Sequence, residues 1–333
     1  MNRTVQQAIA EGVEALSAFG AGNPRFEAEL LLADAMARRR AYLFAHPEEV
    51  LLQPARARFE HLLERRLASE PLQYILGNAP FRHLELVVRP GVLIPRSETE
   101  VLVEHALREL WRWRRSRPER GRDERGWAER GRDERGRDER PWVIDVGVGS
   151  GAILLSLMKE MHESGGGGGA PAGSGPQLWF RSLGVDISAI ALEVTARNAA
   201  ANGLCVPRLA LSDLLSAVDP EAEVALIASN PPYVTTEEMA DLPAEIREHE
   251  PHEALHGGRD GLAAIRTLLN QARPFLERGT PLVFEIGGFQ GPAVARLLDE
   301  QGLGAFSTIE PDLAGRDRVV IVSTAVDAAP RIC

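Results

Sequence analysis

The stretch Trp142-Val-Ile-Asp-Val-Gly-Val-Gly-Ser-Gly-Ala152 decides the fold of this chain. Residues 142–146 are mostly apolar and predict a buried strand, while the run AILLSLMKE after the glycines predicts a helix. Glycines at a strand-to-helix turn let the backbone approach a ligand closely and direct the free N–H groups of the helix toward it. The stretch therefore predicts the first strand and the ligand-binding turn of an α/β sheet.

Predicted strands and helices alternate from about residue 97 onward. This alternation predicts an α/β fold with a seven-stranded, mostly parallel, doubly wound sheet. The link 310–317 is short, so the last two strands are expected to pair antiparallel. The predicted strands are 142–146, 178–185, 208–211, 224–229, 281–286, 306–309 and 318–323, and helices are predicted at 152–163, 188–202, 261–277 and 290–302.

The region before the sheet has a different character. Residues 1 to about 70 predict a small bundle of three or four helices, within a helical domain at 1–76, and Asn23-Pro24 is typical of a helix start. Residues 77–96 contain β-branched residues and turn signals, which predict a hairpin that links the bundle to a sheet domain at 97–333. The sequence thus predicts two domains and a linker.

Two low-complexity segments, 114–140 and 164–176, interrupt the sheet domain. The first contains GRDER three times and GWAER once, and the second contains GGGGGAPAGSGP. Neither has enough apolar residues to fold alone. Each precedes a predicted strand and is expected at the amino edge of the sheet, whereas ligands of open α/β sheets bind at the carboxyl edge. We therefore expect neither segment to take part in the chemistry.

Composition narrows the class of protein. The apolar content of 44% supports a substantial core, and the net charge of −10 argues against a protein that grips nucleic acid through its phosphates. Cys205 and Cys333 are too few for a disulfide framework and lack metal-ligand spacing, so no metal is expected. No signal peptide or stretch of transmembrane length is apparent. We expect a cytoplasmic protein that binds neither membranes nor, stably, nucleic acid.

The glycine turn alone leaves two ligands open. Gly147-x-Gly149-x-x-Ala152 fits the relaxed dinucleotide fingerprint, in which an acidic residue ends the second strand about 20 residues later. Asp186 ends the second predicted strand, and the Gly-rich segment accounts for its greater distance. A carboxylate there can accept hydrogen bonds from ribose hydroxyls. This arrangement suits NAD and S-adenosylmethionine equally.

Residues after the third and fourth strands separate these ligands. Asp213 can accept an amino hydrogen of adenine, and Leu214 can cover its ring. Asn230-Pro-Pro-Tyr233 ends the fourth strand with a side-chain amide, two carbonyls without competing N–H groups and an aromatic face on a stiff backbone. Such a group can grip a planar –NH₂ group. A hydride-transfer enzyme has no use for this grip, whereas a methyltransferase acting on nitrogen does.

A family resemblance rests on several motifs together. GVGSG, VD, SDL and SNPPYV, in this order, resemble class I S-adenosylmethionine-dependent methyltransferases that act on amino groups. The stretches EPLQYILGNAPF, LIPRSETEVLVE and EPHEALHGGRDGL resemble the family that methylates the glutamine of the Gly-Gly-Gln motif in peptide-chain release factors. The resemblance covers nearly the whole chain outside the low-complexity segments. Two departures are Ser97, where the family has proline, and Arg82-His83, where an aromatic-glycine pair is usual.

The resemblance implies a methyl donor, a protein substrate and a set of site residues. It implies S-adenosyl-L-methionine as cofactor, release factors as partners, and residues 1–76 as a substrate-recognition domain. We expect in-line methyl transfer to the glutamine nitrogen, whose two hydrogens would be accepted by the Asn230 side-chain oxygen and the Pro231 carbonyl. The expected catalytic residues are Asn230, Pro231, Pro232 and Tyr233, and the expected cofactor-binding residues are Asp145, Gly147, Val148, Gly149, Ser150, Gly151, Asp186, Asp213, Leu214 and Asn230.

Three other hypotheses fit part of the pattern. A nucleic-acid amino methyltransferase would use the same grip but needs a basic groove or a target-reading domain. A nicotinamide oxidoreductase would use the glycine turn and predicts NAD-linked turnover. A non-enzymatic binding module would leave Asn230-Pro-Pro-Tyr233 without a purpose.

Overall fold

The computed structural model describes residues 3–117, 138–163 and 178–323. The low-complexity segment 164–176 lies outside the described residues, and so does 114–140 except at its margins, 114–117 and 138–140. The chain divides into two compact units, Met1–Asn78 with Leu242–His249, and Ala79–Asp241 with Glu250–Cys333. We call these the helical unit and the sheet unit.

The helical unit is a bundle whose long helices have well-formed N-termini. The Thr4 hydroxyl accepts from Gln7 N while the Gln7 side chain accepts from Thr4 N, and the Asn23 side chain accepts from Phe26 N, which confirms the predicted helix start. The bundle is confirmed: four helices lie within residues 1–70, as predicted, and a fifth, short helix follows at Leu72–Leu76. Its helices are α1 Val5–Phe19, α2 Pro24–Ala35, α3 Arg40–Ala45, α4 Gln53–Leu67 and α5 Leu72–Leu76.

A buried arginine joins distant segments of the helical unit. Arg66 of α4 pairs with Glu27 at 2.8 Å and with Glu245 at 2.8 Å, and its side chain is 7% exposed. Glu245 belongs to the short helix Ala244–His249, which the chain contributes long after the bundle itself. The two carboxylates accept hydrogen bonds from the guanidinium and compensate its positive charge, which is necessary because an unpaired buried charge is costly.

The sheet unit contains a hairpin and a seven-stranded sheet, as predicted. The hairpin strands are β1 Asn78–Phe81 and β2 Leu84–Val87; the sheet strands are β3 Trp142–Val146, β4 Arg181–Asp186, β5 Arg208–Leu211, β6 Val224–Ser229, β7 Leu282–Glu285, β8 Ser307–Pro311 and β9 Asp317–Val322. The sheet order is β5-β4-β3-β6-β7-β9-β8, with β3 to β7 parallel and β9 antiparallel to both its neighbours. The antiparallel closing pair β8–β9 confirms the expectation for the last two strands.

One strand start was predicted wrongly. The sequence predicted a strand from residue 178, whereas β4 begins at Arg181. Trp179 and Phe180 instead pack in the core, where Trp179 stacks on Trp113 with ring centroids 6.0 Å apart. Apolar residues that pack against a helix look the same in sequence as apolar residues within a strand.

Helices cover both faces of the sheet. Along β3, Val143 packs into a core on one face with residues of α6 and α7, and Ile144 packs into a core on the other with residues of α11 and α12. Every residue of the central strand β6 is buried. These helices and the shorter ones are α6 Thr99–Arg115, α7 Ala152–Glu163, α8 Ala189–Ala201, α9 Glu238–Asp241, α10 Ala244–His249, α11 Ala263–Glu277 and α12 Gly291–Glu300. Among the described helices, none is long and apolar enough to cross a membrane.

This topology places several segments at one edge of the sheet. Because β3 to β7 are parallel, the residues that follow their carboxyl ends share an edge. The glycine turn follows β3, Asp186 ends β4, and Asn230-Pro-Pro-Tyr233 follows β6. The predicted site residues therefore come together from distant parts of the sequence.

Candidate active site

The three glycines of the first turn have different surroundings. Gly147, Gly149 and Gly151 all have positive φ, at +74°, +55° and +85°. A Cβ atom on Gly149 would meet its nearest atom at 3.9 Å, whereas one on Gly151 would lie 2.9 Å from Leu155. Gly147 and Gly149 thus leave backbone open to a ligand, and Gly151 permits tight packing of α7 on the turn.

Asp186 is held beside the glycine turn with acceptor capacity to spare. One carboxylate oxygen accepts from Gly149 N at 2.9 Å and the other from Ser188 N at 2.9 Å. Burial raises the pKa of Asp186, and these backbone hydrogen bonds act in the opposite direction. A carboxylate has about four acceptor positions, so acceptor capacity is left for hydroxyl groups of a ligand.

A cavity of about 350 Å³ lies against these residues. Its volume is in the range of small-molecule sites. Asp213 and Leu214 form part of its wall, and Leu214 adopts a left-handed conformation with φ of +50°. The predicted site residues that line the cavity are Gly147, Val148, Gly149, Ser150, Asp186, Asp213, Leu214, Asn230 and Pro232.

Four predicted site residues lie outside the cavity wall: Asp145, Gly151, Pro231 and Tyr233. Asp145 lies beneath the turn, fully buried, where one of its oxygens accepts from Leu154 N at 3.0 Å and the other has no hydrogen-bond partner among the described residues. Burial raises the pKa of Asp145 to about 8, and the nearby Asp186 carboxylate adds to the effect. Asp145 therefore supports the turn from within the core.

The Asn230-Pro-Pro-Tyr233 segment is held by a side-chain network. The Asn230 amide nitrogen donates to Thr99 Oγ1 at 3.2 Å, and the Thr99 hydroxyl donates to Glu285 Oε2 at 2.7 Å. The Tyr233 hydroxyl donates to the other oxygen, Glu285 Oε1, at 3.1 Å. Burial and the Glu285 carboxylate raise the pKa of Tyr233, so the phenol stays protonated. Both ends of the segment thus meet at one buried carboxylate.

A glycine-rich loop supports the backbone of the same segment. Val234 N donates to Leu255 O and Gly257 N donates to Val234 O, each at 2.8 Å. A Cβ atom on Gly257 would lie 2.7 Å from Pro232 O. The Gln290 side chain also donates to Tyr233 O at 2.9 Å. The stretch EPHEALHGGRDGL therefore contributes the surface on which the prolines pack.

An ion pair between Arg96, which lines the cavity, and the buried Glu250 joins two of the motif stretches. Arg96 donates to Glu250 at 2.6 Å, and Glu250 also accepts from Ile94 N at 3.2 Å. Sequence reasoning gave neither residue a role, although both lie in stretches that carry the family resemblance. Their presence in these motifs marked them as candidates, but no local sequence pattern indicates that two residues 154 positions apart form an ion pair. Other wall residues that it missed are Pro95, Thr99, Ile187, Pro251, Glu253 and Thr267.

The two departures from the family pattern are accommodated locally. Arg82 turns the hairpin with φ of +48° and forms two hydrogen bonds to the Glu160 carboxylate. The Ser97 hydroxyl donates to the neighbouring Glu98 at 3.0 Å. Neither residue lines the cavity.

The cavity suits a nucleoside with a positively charged or polar tail. Asp186 offers free acceptor positions, Asp213 offers a carboxylate, and Val148 and Leu214 supply apolar walls. Among the residues that the structure describes, no cluster of His, Cys, Asp and Glu could hold a metal ion. The donor set fits S-adenosylmethionine, whose ribose hydroxyls and adenine amino group need acceptors.

The doubly wound sheet with its antiparallel seventh strand, glycine turn and acidic residue after the second strand defines a class I methyltransferase. A family model described as the PrmC N-terminal domain matches residues 7–77. The release factor glutamine methyltransferase of Moorella thermoacetica is 38% identical over 95% of this chain and 96% of that protein. The proteins of the same name from Cereibacter sphaeroides and Koribacter versatilis are 38% and 34% identical, over 94% and 96% of this chain and 96% and 98% of theirs. The chain belongs to the release factor glutamine methyltransferase family.

Proposed function

We propose that this protein transfers a methyl group from S-adenosylmethionine to the side-chain amide nitrogen of the glutamine in the Gly-Gly-Gln motif of peptide-chain release factors. The observation that carries the proposal is that Asn230 and Pro232 line the same cavity as the glycine turn and Asp186. The Asn230-Pro-Pro-Tyr233 segment, which would hold an amide group, thus borders the site that would bind the methyl donor. The family, whose members are named for this activity, supplies the identity of the amide.

The cofactor would be held by residues of the cavity wall. Asp186 would accept hydrogen bonds from ribose hydroxyls, and Asp213 would accept one from the adenine amino group. The backbone of Gly147 and Gly149 would lie close to the ligand. When bound, S-adenosylmethionine supplies an electrophilic methyl group on a sulfonium.

The protein's part in the reaction is to orient a poor nucleophile. The amide nitrogen of glutamine is weakly nucleophilic because its lone pair is delocalised into the carbonyl. Acceptance of its two hydrogens by the Asn230 side-chain oxygen and the Pro231 carbonyl would orient it in line and raise its electron density, with Tyr233 against the amide plane and Pro232 keeping the backbone stiff. A nitrogen–carbon bond forms as the sulfur–carbon bond breaks, and the nitrogen releases one proton to solvent.

We assign domain roles on the same basis. Residues 1–76 would recognise the release factor, 77–96 would link the domains, and 97–333 would carry the chemistry. The match of residues 7–77 to a separate family model supports an independent N-terminal domain. The net charge of −10 supports a protein substrate over a nucleic-acid one.

The test incubates the protein with S-adenosylmethionine labelled in the methyl group and a release factor, or with the same factor carrying asparagine in place of the Gly-Gly-Gln glutamine. We expect label only in the unaltered factor, and mass spectrometry should place it on the glutamine side chain. Equal labelling of both factors would exclude the glutamine assignment. Efficient labelling of DNA or RNA instead would favour the nucleic-acid alternative.

An Asn230→Ala variant tests the grip. It removes the side-chain acceptor, so methyl transfer should fall at least about a hundredfold, by analogy with the loss of one preorganised polar group in other active sites. The cofactor should still bind measurably by calorimetry, because Asp186 and the glycine turn are intact. An Asn230→Ala variant with wild-type turnover would exclude the proposed mechanism.

A further inference from the structure

The orientation of the Asn230 amide is fixed by a chain of hydrogen bonds that starts at Glu285. Glu285, at the end of β7, is fully buried, and Thr99, at the start of α6, is 4% exposed. The Thr99 hydroxyl donates to Glu285 at 2.7 Å, and Asn230 Nδ2 donates to the Thr99 oxygen at 3.2 Å. Only Asn230 and Thr99 of these three residues line the cavity.

The direction of these bonds follows from what each group can donate. An ionised carboxylate only accepts, and a threonine hydroxyl has a single proton. With that proton engaged by Glu285, the Thr99 oxygen can only accept from Asn230. The amide must then turn its nitrogen to Thr99, and its oxygen is left for other partners.

This orientation matters because an asparagine side chain can rotate by half a turn with little change in shape. In one orientation the carbonyl oxygen is available to accept a hydrogen from a substrate –NH₂ group. In the other, the Asn230 –NH₂ group would face the substrate –NH₂ group, and two donors would oppose each other. A grip for an amide nitrogen therefore requires a means of choosing between them.

We infer that Thr99 and Glu285 are positioning residues that fix the Asn230 amide so that its oxygen accepts from the substrate nitrogen; the inference rests on the proposed function. Neither residue is required to touch the reacting atoms. Glu285 acts through Thr99 on one side and holds the Tyr233 hydroxyl at 3.1 Å on the other. One buried carboxylate thereby sets both side chains of the grip.

Burial raises the pKa of Glu285, whereas the Thr99 and Tyr233 hydroxyl groups and the Arg318 guanidinium act in the opposite direction and stabilise the carboxylate. Arg318 of β9 lies 3.9 Å from Glu285 and also pairs with Asp312 at 3.3 Å. The Arg318 guanidinium donates to Ile286 O at 3.1 Å, which anchors it beside the carboxylate. Two hydroxyl donors and a nearby guanidinium compensate the buried charge.

Paired substitutions at Thr99 provide the test. Thr99→Val keeps the shape but removes the hydroxyl, and Thr99→Ser keeps the hydroxyl but removes the methyl group. We expect kcat of Thr99→Val to fall on the order of tenfold to a hundredfold, which corresponds to loss of the bias between two amide orientations. KM for the release factor and cofactor affinity should stay within about threefold of wild type, and Thr99→Ser should retain most of kcat.

Glu285→Gln tests the first hydrogen bond of the series that runs from Glu285 through Thr99 to Asn230. Its side-chain –NH₂ group must donate to Thr99 or to Tyr233, which reverses one of the two hydrogen bonds. If Thr99 receives it, the threonine proton is redirected to the Asn230 oxygen. We expect a fall in kcat similar to that of Thr99→Val. Thr280→Val is the matched control, because the buried Thr280 hydroxyl donates to Val224 O at 2.8 Å at the other end of the sheet; it should lower stability but not kcat.

A readout without turnover separates this inference from the proposed function. In the wild-type protein the Asn230 side-chain –NH₂ group, observed by nitrogen-15 NMR, should show one hydrogen-bonded proton, and Thr99→Val should abolish that signature while Thr99→Ser keeps it. If this holds but no release factor is methylated, the proposed function fails and the positioning network stands. If Thr99→Val leaves kcat and the resonance unchanged, or Thr99→Ser loses as much activity as Thr99→Val, the inference is wrong.

Discussion

Asp145 is an ionisable residue buried where its charge is not compensated. It accepts one backbone hydrogen bond, from Leu154 N, and within the part of the chain that the structure describes its other oxygen has no hydrogen-bond partner. Burial raises its pKa from 3.8 to about 8, so the folded protein binds a proton that the unfolded chain releases. The contribution of Asp145 to stability is therefore fully present below about pH 4 and is lost as the pH rises toward 8.

We predict that Asp145→Asn removes this pH dependence. Asparagine keeps the acceptor for Leu154 N and is always neutral. Between pH 5 and 8, the wild type should lose unfolding free energy relative to the variant, by at most about 1.4 kcal/mol per pH unit. Chemical denaturation of both proteins across this range is the measurement. A difference that stays constant with pH would show that Asp145 has the same charge in the folded and unfolded states.

The sequence could predict single site residues where they lie at the carboxyl end of a predicted strand. Asp186, Asp213 and Asn230 were found because parallel strands bring their carboxyl ends to one edge, and all three line the cavity. Thr99 and Glu285 were missed because they lie 186 positions apart and no local pattern relates them. Hydrogen bonds across such distances depend on packing, which periodicity does not reveal.

The loop 256–261 is the element that supports the Asn230-Pro-Pro-Tyr233 backbone. The Gly257 position leaves no space for a side chain, since a Cβ atom would lie 2.7 Å from Pro232 O and 2.8 Å from Tyr233 Cα. These neighbours are backbone atoms, which cannot rotate away. Any side chain at 257 must therefore displace the prolines or the loop.

We predict that Gly257→Ala lowers both stability and methyl transfer. The overpacked contact should cost about 1–3 kcal/mol of unfolding free energy, and displacement of the prolines should reduce kcat at least about tenfold. Thermal denaturation and single-turnover kinetics would measure the two effects. Gly22→Ala is the matched control, because no atom lies within 4 Å of its added Cβ atom and its φ is not positive. Wild-type turnover in Gly257→Ala would show that the loop does not set the position of the segment.

Helices and strands with a clear hydrophobic pattern were predicted well from the sequence. Which of their residues are buried was predicted less well. Residues 152–163 and 224–229 match α7 and β6 at both ends. In α2, helical spacing of the apolar residues favours one face with Phe26, Leu30 and Ala33, of which Ala33 is buried, whereas the residues with no exposure are Ala28, Leu31 and Leu32. Phe26 is 40% exposed, with Arg40 over its ring at 4.9 Å. A cation–π contact of this kind holds an aromatic residue at the surface without a signal in the hydrophobic pattern.

At the scale of the whole molecule, each unit has its own core, and the cavity belongs to the sheet unit alone. Alternating strands and helices were enough to predict the parallel sheet and its closing pair. The sequence did not predict that residues 242–249 belong with the helical unit. One contact of that association is the ion pair between Glu245 and the buried Arg66, and a charged pair of this separation has no signature in either segment.

We predict that the cofactor stabilises the sheet unit selectively. A ligand that binds only the folded state at a hundred times its Kd adds about 2.7 kcal/mol of stability. Hydrogen exchange with and without S-adenosylmethionine should show new protection at the glycine turn and around Asp186, and much less in α1 to α4. Asp186→Asn should reduce the effect, because its –NH₂ group would oppose the Gly149 N–H or the Ser188 N–H. Equal protection in both units would contradict a site confined to the sheet unit.

The place of β9 between β7 and β8 has a consequence for the order in which the protein is made. Among the described strands, β9 is the last to be synthesised, yet it pairs with the interior edge of β7. Until Asp317–Val322 leaves the ribosome, β7 has an unpaired edge and Glu285 lacks Arg318. A nascent chain that already contains the glycine turn and Asn230 thus holds an unfinished site, and methyl transfer should begin only after β9 has emerged.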